Sequence, residues 1–197
     1  SVEHAAVTRS YSSLIQHGTN EAEHVNRIPV GLLASAPAAP VVWTGVARFA
    51  AQADAIVAYE AAFDERFVPA EATCGKPWIC ARADLVYPCA STSKSLIALA
   101  LAHDVGVASA HRAFADVDLM GRLFNAVHHM NVDLSAFFSR GLRPKARYVV
   151  AERGFDEARN ALVKANGFSW DPLMKQWSRS MAIEDAETLP FRVEQAG

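Results

Sequence analysis

The sequence predicts a mixed α/β domain with a small α/β module appended at its C-terminal end. Three observations predict it. Short apolar runs twice give way to helical periodicity: 55–58 leads into a helix over 59–67, and 77–81 leads through a loop into a helix over 93–105. The chain has 197 residues, 51% of them hydrophobic and 20% charged, which suits one ordinary core and a small addition. The pattern then breaks over 137–144, and a new strand–helix pair follows.

Composition narrows the function classes. The formal net charge is −2, so no global basic field advertises nucleic acid, although an enzyme that grips a few phosphates needs none. Cys74, Cys80 and Cys89 are an odd set without Cys-x-x-Cys spacing, which suggests reduced thiols and a cytoplasmic protein. No apolar run approaches the ~20 residues of a membrane span, and no secretory signal is visible, so no membrane partner is expected.

The elements follow in order. Residues 3–7 and 11–15 are predicted to be two short strands. Residues 17–40, with Pro29, Pro37 and Pro40, are expected to be an extended connection. Val42, Val46, Phe49 and Ala50 recur at helical spacing and predict a helix over 41–53. In the helix 59–67, Phe63 and Phe67 form an i, i+4 pair expected to face the sheet, with Asp64 one step round. Tyr87 to Ser93 form a loop ending in N-cap residues. The helix 93–105 aligns Leu96, Leu99, Ala100 and His103, with Gly106 as its C-cap. His103 is expected to be a packed or surface residue, not a ligand.

Leu119, Met120, Leu123 and Val127 lie in line with Asp116 on the next helix. A carboxylate at the head of a buried stripe needs a cation or several donors. His111 stands five residues earlier, which on an ideal helix turns its side chain about 140° away. The two converge only if His111 lies on the loop before the helix. They then suit a base and a metal ligand; otherwise Asp116 simply favours the helix dipole. His128 and His129 point about 100° apart on a helix and are taken as structural.

The run Tyr59-Glu60-Ala61-Ala62-Phe63-Asp64-Glu65-Arg66-Phe67, followed later by His111-Arg112-Ala113-x-x-Asp116, resembles the second and third motifs of the DEDDh 3′–5′ exonucleases. The proofreading subunit of the bacterial replicative polymerase belongs to that family. Lys76 to Arg82 resembles the family's strand with a Cys-Thr-Arg ending, and Ser93-Lys94-Ser95-Leu96 through Gly106-Val107 its helix and following turn. The resemblance covers roughly residues 1–130. It implies an RNase H-like exonuclease fold, with a mixed sheet flanked by helices.

By the same resemblance, His111 is the general base, Asp64 and Asp116 are catalytic metal ligands, and Tyr59, Phe63 and Arg112 bind substrate. The cofactor is Mg²⁺ or Mn²⁺, two ions in a complete member, because oxygen ligands favour these hard cations. The substrate is nucleic acid, entered from a single-stranded 3′ end, with nucleoside 5′-monophosphates as products. A replication or repair protein is the expected partner. Tyr59-Glu60 replaces the family's His-Asn. The family's first motif, an Asp-x-Glu strand ahead of residues 3–7, has no clear counterpart; Ser1-Val2-Glu3 is a degenerate version, or the chain is truncated, or the motif is lost. The alternative function is therefore an inactive homologue that binds nucleic acid or a replication partner. A purely structural protein is a third class.

The C-terminal module is expected over 139–197, after an exonuclease-like domain over 1–138. A strand over 146–151 and a helix over 154–166 begin it. Its Gly167-Phe168-Ser169-Trp170-Asp171…Lys175-Gln176-Trp177 pattern resembles modules appended to some bacterial exonucleases. These aromatics either stack bases or form a small core. Residues 140–164 carry seven basic against three acidic residues, a modest footprint for phosphates.

Overall fold

A computed structural model describes residues 9–108, 112–151, 156–172 and 174–196. The chain is mixed α/β and divides into two compact units, Ser1–Leu142 and Arg143–Gly197. Among the described residues no helix is long and apolar enough to cross a membrane.

Among the described residues of the first unit, Arg9 to Ile15 form no regular element. The strand expected over 11–15 does not form there, and its supposed partner over 3–7 lies outside the described residues. Tyr11 packs on a helix instead. Its hydroxyl donates to the Val42 carbonyl at 3.3 Å, and its ring lies 5.8 Å from that of Phe49. Gly45 makes this possible, since a Cβ there would stand 2.5 Å from the Tyr11 hydroxyl. The connection expected to be extended holds two short helices, α1 (Glu23–Asn26) and α2 (Val30–Ala34). Helix α3 (Ala39–Ala50) starts with Pro40 in its first turn, where a missing N–H costs nothing.

Strand β1 (Ile56–Ala58) leads through one turn of helix, α4 (Ala61–Asp64), and a 3₁₀ turn (Glu65–Phe67) to α5 (Ala70–Thr73). The helix expected over 59–67 is thus broken. Ala61 takes the buried position, while Phe63 and Phe67 turn outward, 51% and 64% exposed. They do not face the sheet. Strand β2 (Trp78–Cys80) pairs with β1 in parallel, Ile56 against Trp78 and Ala58 against Cys80. Parallel pairing requires such a crossover connection. Helix α6 (Ala81–Asp84) follows directly.

Ser95 caps α7 (Leu96–Ala102), its Oγ accepting the Ala98 N–H at 3.2 Å. The helix ends before Gly106. Asp104 takes the left-handed conformation at φ 58°, and the Val105 N–H reaches back to the Ala100 carbonyl at 2.9 Å. His103 is fully packed. The Cys89 N–H donates to its Nε2 at 3.2 Å, so its Nδ1 carries the proton given to the Leu99 carbonyl at 2.7 Å. That histidine is structural.

Helix α8 (Ala113–His129) buries Leu119, Met120, Leu123, Phe124 and Val127. Asp133 caps α9 (Leu134–Gly141) by accepting the Ala136 N–H at 3.0 Å. The main core joins β2, α7, α8 and α9 through Ile79, Leu99, Leu123, Val127 and Phe137. Because α9 and its wholly buried Phe137 belong to this core, the division between units falls at Leu142/Arg143, beyond the expected 138/139. Gly141 sits tight on β2: a Cβ would meet three Ile79 side-chain atoms at 2.5–2.8 Å. Gly141→Ala is therefore expected to destabilise by about 1–3 kcal/mol, lowering the urea midpoint at an unchanged slope.

In the second unit, β3 (Ala146–Val150), α10 (Glu157–Ala165), β4 (Ser169–Asp171), β5 (Gln176–Met181), α11 (Ile183–Glu187) and β6 (Val193–Gln195) follow in order. The strands form one antiparallel sheet in the order β4-β5-β3-β6. Its core is Tyr148, Val150, Val163, Phe168 and Met181. Trp177 packs against it with its Nε1–H on the Asn160 amide oxygen at 3.2 Å. Trp170 meets Trp177 edge-on at 5.6 Å and stays half exposed.

Candidate functional site

Two parallel strands end side by side, and the chain turns sharply after each. After β1 come Tyr59 and Glu60, and after β2 come Ala81 and Arg82. The Tyr59 carbonyl accepts the Arg82 N–H at 3.1 Å and the Cys80 thiol at 3.4 Å, which stitches the two turns together. Above this stitch the Arg82 guanidinium pairs with the Glu60 carboxylate at 2.6 Å. The pair is half exposed, so it contributes little stability, on the order of 0–1 kcal/mol, and mainly orients both groups. The Tyr59 hydroxyl donates to the Lys94 carbonyl at 2.6 Å. Burial pushes that phenol up to about 12, so it stays a neutral donor.

Asp64 closes α4, one turn on from Glu60, and its N–H donates to the Glu60 carbonyl at 3.1 Å. Partial burial raises its carboxyl above its ordinary value, and the Glu60 charge pushes in the same direction. A carboxylate so placed gains from a neighbouring cation. Phe63 and Phe67 stand next to it with ring centroids 5.0 Å apart. Arg66 lies over both, its guanidinium carbon 5.1 Å from the Phe63 ring and 5.9 Å from the Phe67 ring.

Asp116 sits half buried in the first turn of α8, its N–H on the Arg112 carbonyl at 2.9 Å. Arg112 precedes the helix in an extended conformation and donates to the Arg27 carbonyl at 3.1 Å. His111 lies outside the described residues. The structure therefore gathers Tyr59, Glu60, Phe63 and Asp64 around the ends of β1 and β2, and places Asp116 and Arg112 at the head of α8. Among the described residues, no group of three or more His, Cys, Asp or Glu side chains is placed to hold a metal ion.

Sequence reasoning missed Arg66 and Lys94. A basic residue directly before the second phenylalanine of an i, i+4 pair was the available signal for Arg66. For Lys94 it was the Ser-Thr-Ser-Lys-Ser run, which also caps α7. The basic balance of 140–164 is in part committed internally. Arg143 pairs with Asp185 at 3.0 Å, and Arg147 reaches Asp171 at 3.4 Å and Ser178 at 3.1 Å.

Comparison with known proteins adds one finding. Residues 156–196 match a family described as Domain of unknown function (DUF8626). The match runs from α10 to β6 of the second unit. No curated protein and no solved structure matches the chain.

Proposed function

We propose that the first unit is the core of a metal-dependent 3′–5′ exonuclease of RNase H-like fold, acting on nucleic acid and releasing nucleoside 5′-monophosphates. The observation that carries this reading is Asp64. It stands beside the C-terminal ends of two parallel strands, with Glu60 close by and its carboxyl raised by burial and by that neighbour. Ligands of open α/β sheets collect at such strand ends. With Asp116 it would hold Mg²⁺ or Mn²⁺, which neutralises the attacking and leaving oxygens of a phosphodiester.

The chain's own groups supply the rest. His111 suits the proton of the attacking water, since imidazole titrates near neutrality. Phe63 and Phe67 offer exposed ring faces on which a terminal base can stack, at about 1–3 kcal/mol per base. Arg66, already over those rings, brings a cation to the phosphates.

Mn²⁺ binding followed by the loss of its free-ion spin resonance signal tests the shared site. The wild-type chain should bind Mn²⁺, and both Asp64→Asn and Asp116→Asn should weaken that binding. Equal binding by all three proteins would remove Asp64 and Asp116 as ligands of a common ion.

A further inference from the structure

Beside the candidate site lies a cleft of about 270 Å³ between the end of β2 and the loop before α7. We propose that this cleft binds a phosphate group of the nucleic-acid strand, held by the charged groups of Lys94 and Arg82. The source of the phosphate rests on the exonuclease reading; the pocket itself does not. A water claims about 30 Å³ of liquid, so the cleft has room for a phosphate and part of its sugar.

Its chemistry is lopsided. The two charged groups lining it are both cations, Arg82 and Lys94, and its floor includes Leu85 and Leu99 of the buried core. Glu60 balances Arg82 at 2.6 Å. The Lys94 ammonium has no partner among the described residues, so one positive charge is left for a ligand. A guanidinium beside a lysine ammonium presents more N–H donors than the two oxygens of a carboxylate readily take, and the several acceptor oxygens of a phosphate suit them.

The loop is also held in place before any ligand arrives. The Tyr59 hydroxyl fixes the Lys94 carbonyl at 2.6 Å. The Ser91 hydroxyl donates to the Ser93 carbonyl at 2.8 Å, and the Ser93 and Ser95 hydroxyls meet at 3.1 Å. Such preorganisation lowers the ordering cost of binding. Tyr59 belongs to the turn after β1, so one strand can lie at Asp64 and set a neighbouring phosphate in the cleft.

The test uses the full chain and two probes. Phosphorus NMR reads the broadening of inorganic phosphate, and fluorescence anisotropy reads binding of a labelled single strand across a salt series. Lys94→Gln should abolish the broadening and weaken the strand by about tenfold, the loss of one charged hydrogen bond. It should also lower the salt slope by about 0.7. Lys94→Arg should keep both, which separates a charge effect from misfolding. Asp116→Asn should leave the phosphate broadening unchanged. Strand binding that depends on Lys94 in a chain that trims no 3′ end would drop the exonuclease reading and keep this pocket. Unchanged strand binding in Lys94→Gln would overturn the proposal, even if inorganic phosphate is lost. Acetate competing as well as phosphate would overturn it too.

Discussion

Asp116→Ala is expected to remove metal-dependent trimming of a 3′ end altogether, whereas His111→Ala is expected to slow it by about 10²–10⁴. The difference follows from what each group does. In the proposed reading Asp116 would supply one carboxylate for divalent ions and Asp64 another. Two negative charges against ions carrying four positive ones would leave such a site short of balance, so losing one should empty it. For the same reason the chain taken alone is expected to be slow even when intact. His111 would move a proton without holding the ion, so its loss should spare Mn²⁺ binding and lower the rate. Single-turnover trimming rates, set beside Mn²⁺ affinity for each variant, check both expectations. A histidine variant that loses the ion would make His111 a ligand.

Phe137→Ala is the largest expected effect on stability, a loss of about 3–5 kcal/mol in the first unit. Phe137 has no exposed surface, and its ring lies 5.8 Å from Phe124 of α8 and 4.9 Å from Phe138. It belongs to the core cluster that joins α8 and α9 to Ile79 of β2, the strand that ends at Cys80, two residues before Arg82. Truncation leaves a cavity at that junction, in a domain whose total stability is of the order of 5–15 kcal/mol. Chemical denaturation should show the shift. A change under about 1 kcal/mol would mean that α9 is not part of the folded unit.

Long apolar periods were the legible part of this chain. Leu119, Met120, Leu123 and Val127 mark α8 because 17 residues of helix repeat the pattern several times over. The runs at β1 and β2 are legible because their residues are nearly all apolar, as in strands paired in parallel. Shorter elements escaped. β4 and β6 are three residues each and, unlike β1 and β2, mix polar with apolar residues, and β5 is mostly polar, so most of the second unit's sheet went unread. Tyr11 to Ile15 looks like a strand by residue type, yet the Tyr11 ring belongs on α3, a tertiary choice no local pattern reveals.

The candidate site divides in the same way. Asp64 was singled out by the resemblance of its run to a family motif, and it closes α4 just beyond β1. The outward turn of Phe63 and Phe67 could not, because it follows from α4 stopping after one turn. The Lys94 cleft joins residues of the β2 turn to a loop beyond α6, and only the folded chain brings them together.

The most direct measurement is a time course on a single strand labelled at its 5′ end, with protein in excess over substrate. Slow shortening from the 3′ end is expected, one nucleotide at a time, that requires Mn²⁺ or Mg²⁺, stops with chelator, and is absent in Asp116→Ala. Trimming at full rate without a divalent ion, or no shortening at any protein excess, would contradict it.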